Sequence, residues 1–312
     1  LSLESWLNHL EVPTYYGSSG KLFPKEGWKP IQVLNAITDR IFSLGVHVLS
    51  NTKVVGWRNK DVDFVDASGI MQSDSFDVIC FAMGGASWST TGSDGRWTNF
   101  IEEKLKVIPF QSSNAGIEIK NGFSESYRGQ FLKNVVVHVG SKSVLGEVRF
   151  TDYGLEGAPI YALNGGIRGG VKKVHIDLKP SKSEDELLQA LKNWKKSRSE
   201  FLKTMKLGFG LILLKDYLTK EQFMENDVLI GYIKKFPLEV TGLRPLDEAI
   251  SSVGGIDMNA ISSEFEAVGY PNIFFTGEML DWDTRTGGYL LQACFSTGYK
   301  VANTIINRFE ED

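Results

Sequence analysis

Along the first hundred residues the apolar positions switch between two periods. In KPIQVLNAITDRIFSLG, Ile31, Leu34, Ile37, Ile41 and Leu44 fall three or four residues apart, which predicts a helix with Gly45 as its C-terminal cap. The β-rich stretch VHVLSNTKVVGWR predicts a strand directly after it. DVDFVDASG is a second β-rich segment ending in a turn. SFDVICFAMGGAS is a short, unbroken apolar run that ends in glycines, the pattern of a buried parallel strand.

From about Pro109 to Pro180 the texture changes. AGIEI, NVVVHVG, GEVRF, APIYAL and KKVHIDL are short β-rich pieces separated by Gly, Ser and Asn turns, which predicts a largely antiparallel unit. After Pro180, SEDELLQALKNWKKSRSEFLKTM opens with Ser and acidic residues and repeats its apolar positions at helical spacing; further helical pattern runs to about Lys235. YPNIFFTGEM returns to the short apolar strand, and GGYLLQACFSTGYKVANTIINRF predicts a terminal helix. The expected architecture is α/β: residues 1–108 and 265–312 form one discontinuous domain, and 109–264 form an insert. The insert is β-rich over 109–180, helical over 181–240, and returns over 241–264.

Composition narrows the function classes. The chain has 312 residues, a formal net charge of −4 and 42% apolar residues, ordinary for a protein large enough for two domains. It lacks the basic footprint of a nucleic-acid binder, and KNWKKSRSE reads as a solvated helix face. Cys80 and Cys294 both lie in apolar runs, which predicts buried free thiols in a reducing compartment rather than a disulfide. His9, His47, His138 and His175 have no ligand spacing to one another, so no metal site is expected. No signal segment or membrane-length apolar stretch occurs, and the expectation is a cytoplasmic protein without a membrane partner.

Two strand-to-glycine junctions, CFAMGGAS and IFFTGEM, carry the chemistry. Glycine at the end of a parallel strand lets backbone approach a ligand closely, and ligands of open α/β sheets sit at the carboxyl ends of the strands. In TGGYLLQACFSTG, Gly287 and Gly288 open a long helix whose free N–H groups and positive dipole end suit an electron-rich group such as the N1 and O2 edge of a reduced flavin.

Five stretches together resemble a known family: GKLFP (20–24), MGGASWSTTGSDGRW (83–97), TDYGLEGAPIYAL (151–163), RPLDEAISSVGGI (244–256) and GEMLDWDTRTGGYLLQACFSTG (277–298). They resemble the bacterial NAD(P)/FAD-dependent oxidoreductases of the aminoacetone oxidase and bile-acid reductase-like flavoprotein family, a branch of the glutathione-reductase-type FAD fold. The resemblance implies an FAD-binding Rossmann-like domain in which Gly84 and Gly85 pass close to the cofactor. It implies further that Gly277 and Glu278 lie near the ribityl-pyrophosphate, that Gly287, Gly288 and Tyr289 meet the isoalloxazine edge, and that the backbone of Val54 meets the adenine. Arg244, Ser251 and Ser252 fall on the substrate side, Arg244 as an anion or carbonyl contact and the serines as hydrogen-bond donors. From the residues alone, Arg244 equally suits a pair with Asp247 or Glu248, and the serines equally suit helix caps.

The sequence departs from that family in one respect. Members open with a strand, a G-x-G-x-x-G turn and a helix, the first βαβ unit, and none of these is present here. The expectation is therefore a fragment of a flavoprotein oxidoreductase, flavin-free or only partly loaded, acting in its full-length form on a small substrate. The alternative is a non-catalytic remnant that binds a ligand or partner without flavin. No side chain is singled out as catalytic.

Overall fold

The computed structural model describes residues 2–17 and 20–310. The chain opens with α1 (Leu3–His9), capped by the Ser2 hydroxyl on the Ser5 amide, and a hairpin of β1 (Thr14–Tyr16) and β2 (Leu22–Pro24). Helix α2 (Pro30–Ser43) starts on a proline, whose missing N–H has no partner to lose in a first turn. Strands β3 (Lys53–Arg58), β4 (Asp61–Val65) and β5 (Met71–Ser75) form an antiparallel three-stranded sheet. Then come β6 (Ile79–Phe81), the single turn α3 (Thr98–Ile101) and β7 (Val107–Ser113).

The next stretch closes a barrel. Its first part comprises β8 (Ile117–Ile119), β9 (Phe131–Val139), β10 (Lys142–Phe150), β11 (Gly154–Glu156), the short helices α4 (Ala158–Ala162) and α5 (Asn164–Arg168), and β12 (Lys173–Asp177). Helices α6 (Glu184–Lys192), α7 (Arg198–Thr204), α8 (Gly210–Tyr217), α9 (Lys220–Met224) and α10 (Asn226–Lys234) lead to β13 (Phe236–Leu243). The strands pair in the closed order β10-β11-β8-β13-β12-β9, every neighbour antiparallel. Alternate residues such as Val135, Val137 and Val139, Val174 and Ile176, and Phe236, Leu238 and Val240 are buried, as the period of a strand requires. They join Leu187, Phe201, Leu213 and Ile230 of the helices in one continuous apolar cluster.

A second cluster gathers Trp57, Phe81, Trp97, Ile101, Phe275 and Met279. Here β14 (Ser251–Ile256) pairs antiparallel with β7, and β15 (Ile273–Phe275) pairs parallel with β6. The chain finishes in α11 (Tyr289–Glu310), of 22 residues.

Five expectations are corrected. No strand follows Gly45 directly; Val46, Val48 and Leu49 are exposed and the first strand starts at Lys53, because β propensity makes a strand only where a neighbour offers a ladder. APIYAL is helical: Gly157 at φ 122° breaks the strand and Pro159 sits in the first turn of α4. The helical span expected over 181–240 is interrupted and ends early: Ser197 and Glu200 form a capping box that restarts the chain at α7, and Phe236 already opens β13. KNWKKSRSE is accordingly largely the break and not a helix face. Finally, Cys80 is exposed and Cys294 half-buried: in β6, Ile79 and Phe81 are buried and Cys80 between them falls on the opposite face, as the period of a strand requires.

The helical spacing over 30–44 does mark a helix, but α2 buries none of its residues; Ile31 and Leu34 are 55% and 56% exposed. An apolar stripe needs an apposed surface, and neither apolar cluster contains a residue of α2.

Candidate functional site

Because β6 and β15 run parallel in register, Phe81 opposite Phe275, the turns that follow them leave from the same end of one small sheet. One turn is Met83-Gly84-Gly85, the other Thr276-Gly277-Glu278. The rings of Phe81 and Phe275 stack at 5.4 Å, and Trp57 of β3 meets them edge-on at 5.7 and 6.4 Å. That aromatic group ties β3, which carries Val54, to the strand pair.

Each turn is fixed from outside. The Trp97 indole N–H donates to the Gly84 carbonyl at 2.9 Å, and that of Trp282 to the Gly277 carbonyl at 3.0 Å. Gly277, at φ 73°, donates its N–H to the Thr297 hydroxyl at 3.1 Å, which in turn accepts from the Thr276 hydroxyl at 2.8 Å, so α11 is pinned to the second turn. Beside the first turn lies a cavity of about 540 Å³ lined by Val54, Met83, Arg96, Trp97, Asn99 and Phe100, among other residues. That volume falls within the range of small-ligand sites.

Gly85, Ser252 and Glu278 form an internal knot. A Cβ on Gly85 would stand 2.0 Å from the Ser252 Oγ and 2.8 Å from the Glu278 carboxyl carbon. The Ser252 hydroxyl accepts from the Ala86 N–H at 3.0 Å, while its own N–H donates to Glu278 Oε1 at 3.0 Å. The small residue at 85 is thus required by packing between β14 and both glycine turns. Ser251 accepts from the Asn114 side-chain amide at 2.7 Å; both serines are buried in β14 and neither caps a helix.

The Arg244 side chain is fully engaged, and its carbonyl accepts from the Ser112 hydroxyl at 2.8 Å, opposite Ser252 in the β7–β14 pair. It donates to Glu248 at 2.8 and 2.5 Å and to Glu118 at 2.7 Å, and its guanidinium stacks 4.2 Å from the centre of the Tyr153 ring. Glu248, and after it Glu118, holds its pKa above the ordinary arginine value against the opposing effect of burial. Two carboxylates already neutralise this side chain, which removes it as a free anion contact.

The start of α11 is open. Gly287 and Gly288 have φ of 100° and 90°, and a Cβ on Gly288 would meet nothing within 4 Å. The Lys21 ammonium lies against Gly287, 2.3 Å from where a Cβ would be, and 5.3 Å from the centre of the Tyr289 ring. Tyr289 itself is 53% exposed. Among the described residues, no group of three or more His, Cys, Asp and Glu is placed to hold a metal, and no helix is long and apolar enough to cross a membrane.

The geometry therefore gathers Val54, Gly84, Gly85, Gly277 and Glu278 around one end of the parallel pair. It places Gly287, Gly288 and Tyr289 at the start of the helix pinned to the Gly277 turn, while the Arg244 side chain is taken up by Glu248 and Glu118. Sequence reasoning missed Trp97, whose place in the MGGASWSTTGSDGRW stretch was a usable signal. It also missed Asn114, for which no local signal exists.

A parallel strand pair with glycine turns at its carboxyl ends is the place where open α/β proteins bind their ligands. The sequence profile of the HI0933-like protein Rossmann domain matches residues 2–304, and the chain belongs to this family of FAD-dependent oxidoreductase-like proteins. Over 306 residues it is 24% identical to the ribosomal RNA dihydrouridine synthase of Haemophilus influenzae, covering 92% of this chain and 75% of that one. Over 257 residues it is 22% identical to the 3-dehydro-bile acid delta(4,6)-reductase of Clostridium scindens, covering 74% of this chain and 63% of that one.

Proposed function

We propose that the protein is an FAD-dependent oxidoreductase acting on a small substrate. The observation that carries this reading is the cavity between Val54 and Met83 at the carboxyl end of the β6–β15 pair, in a chain of a flavoprotein-related family. In this reading Val54, Met83 and Gly84 take the adenosine side, Gly277 and Glu278 border the middle, and Gly287, Gly288 and Tyr289 meet the ring edge. Gly85 acts by letting Ser252 and Glu278 close behind the turn. When bound, FAD supplies the acceptance and release of electrons or hydride. The chain's own part is to orient that group and, through the N–H groups opening α11 and the Lys21 ammonium, to favour negative charge at its edge.

Residues 109–264 are, on this reading, a unit inserted between the two parts of the FAD domain, 1–108 and 265–312, with its two ends, β7 and β14, packed into the FAD domain's apolar cluster. The names of the two relatives, a dihydrouridine synthase and a reductase, both denote reductions, and reduction is the direction we assign. The excess of acidic over basic residues, 38 against 34, favours a small molecule over an RNA. Two free cysteines fit a reducing, cytoplasmic setting.

A second reading is that the fold binds a ligand or partner without flavin. Titration of the protein with FAD, followed by flavin fluorescence and by absorbance after dialysis, separates the two. Weak but saturable binding that ADP competes away, with flavin only partly retained on dialysis, is expected; no binding at saturating FAD favours the second reading.

A further inference from the structure

Asn114, at the end of β7, is 3% exposed and held at φ 52°, in the left-handed region. Its side-chain amide is used on both sides. Nδ2 donates to Ser251 Oγ at 2.7 Å and to the Thr284 carbonyl at 2.8 Å, and Oδ1 accepts from the Thr286 N–H at 3.1 Å. The adjacent Ser113 hydroxyl donates to Asp283 at 2.5 Å. Arg168, at the end of α5, donates to the other Asp283 oxygen and to the Ser112 carbonyl at 2.9 Å. Asp283, Thr284 and Thr286 are thus all tied to β7, and the next two residues are Gly287 and Gly288. Arg285, between the tied threonines, lines a cavity of about 130 Å³ with Tyr161 and Gly165 of α4 and α5.

Two glycines at positive φ can swing freely unless the segment before them is held. The hydrogen bonds of Asn114 reach this segment from residues about 170 positions away in the chain. We propose that Asn114 is a positioning residue: it sets where the N–H groups of Gly287 and Gly288 and the first turn of α11 are presented, and so tunes the group bound at that edge. The proposal rests on the FAD reading. It differs from a purely structural account, in which Asn114 only satisfies buried polar groups and its loss lowers stability without altering the bound cofactor.

Two variants test it in the FAD-loaded protein. Asn114→Gly keeps the left-handed backbone and removes only the side chain; Asn114→Asp keeps the shape and the acceptor for Thr286 but has no N–H for the Thr284 carbonyl. The expected result for both is a lower midpoint potential of bound FAD and an affinity weaker by about tenfold, the equivalent of one ordinary hydrogen bond. Faster amide exchange should be confined to peptides covering 282–289. An unchanged potential and affinity in the folded variants, whatever their melting temperature, overturns the proposal. Should the wild type take up no FAD, the FAD reading falls and this role with it; the wild-type titration tells that outcome apart from a failure seen only in the variants.

Discussion

In the barrel, Val174, Ile176 and Phe236 are fully buried and six strands close on one another; across the molecule α2 buries nothing and β6 and β15 make a sheet of two. A closed antiparallel barrel satisfies its own backbone groups and needs no further partner. The half with the glycine turns is organised by a smaller set of contacts: one aromatic group, the Gly85–Ser252–Glu278 knot and the pin from Thr297. The first region closes on itself around one large apolar cluster, while the second packs a smaller cluster and keeps space and backbone donors at its surface. Regions that bind ligands are commonly drawn from the less stable part of a fold, and this molecule divides its labour in that way.

The sharpest way to break this comparison is to remove apolar volume from each half. Phe236→Ala should cost about 3–5 kcal/mol, the range for truncating a fully buried aromatic, whereas Leu34→Ala on α2 should stay within about 0.5 kcal/mol. Denaturant unfolding reads both, and similar losses would mean that the open half contributes to stability as the barrel does.

A smaller effect is expected inside the glycine-turn half. Gly85→Ala must displace the Ser252 hydroxyl that accepts from Ala86, at a cost of about 1–3 kcal/mol. Combining it with Ser252→Gly should recover part of that loss, because the closer clash, with the Ser252 hydroxyl, disappears while that with Glu278 remains; additive losses in the double-mutant cycle would place the strain elsewhere.

The smallest effect concerns acid. Arg308 donates to Glu266 at 2.7 and 2.9 Å and holds its carboxyl below the ordinary glutamate value. A folded-state pKa lowered in this way contributes stability that is present above the ordinary value of about 4.3 and is lost as pH falls through the depressed one. Glu266→Gln should therefore flatten the fall in stability below about pH 4, by no more than about 1 kcal/mol because both partners are partly solvated. Unchanged acid unfolding would show that this pair does not hold α11 to the β15 region.

Much of the fold was legible in the chain. Period-two burial along β9 and β12, the two strand-to-glycine junctions and the paired glycines ahead of α11 are written in local pattern, since side-chain periodicity follows from backbone geometry alone. The helix at α2 was legible for the same reason, but its exposure was not. Whether a stripe is buried depends on a surface contributed from elsewhere. The same applies to Cys80, which an apolar run suggested was covered, and to Arg244, whose charge is taken by Glu118 as well as by the nearby Glu248.

What only the tertiary structure decided was partnership. Ser252 could have been a cap or a substrate donor; the fold sets it between Gly85 and Glu278, and sets Asn114 against Ser251, Thr284 and Thr286. Propensity and periodicity act over a few residues, so they determined the elements and the glycine turns. A hydrogen bond between groups more than a hundred residues apart depends on how those elements pack, and packing is a property of the whole chain.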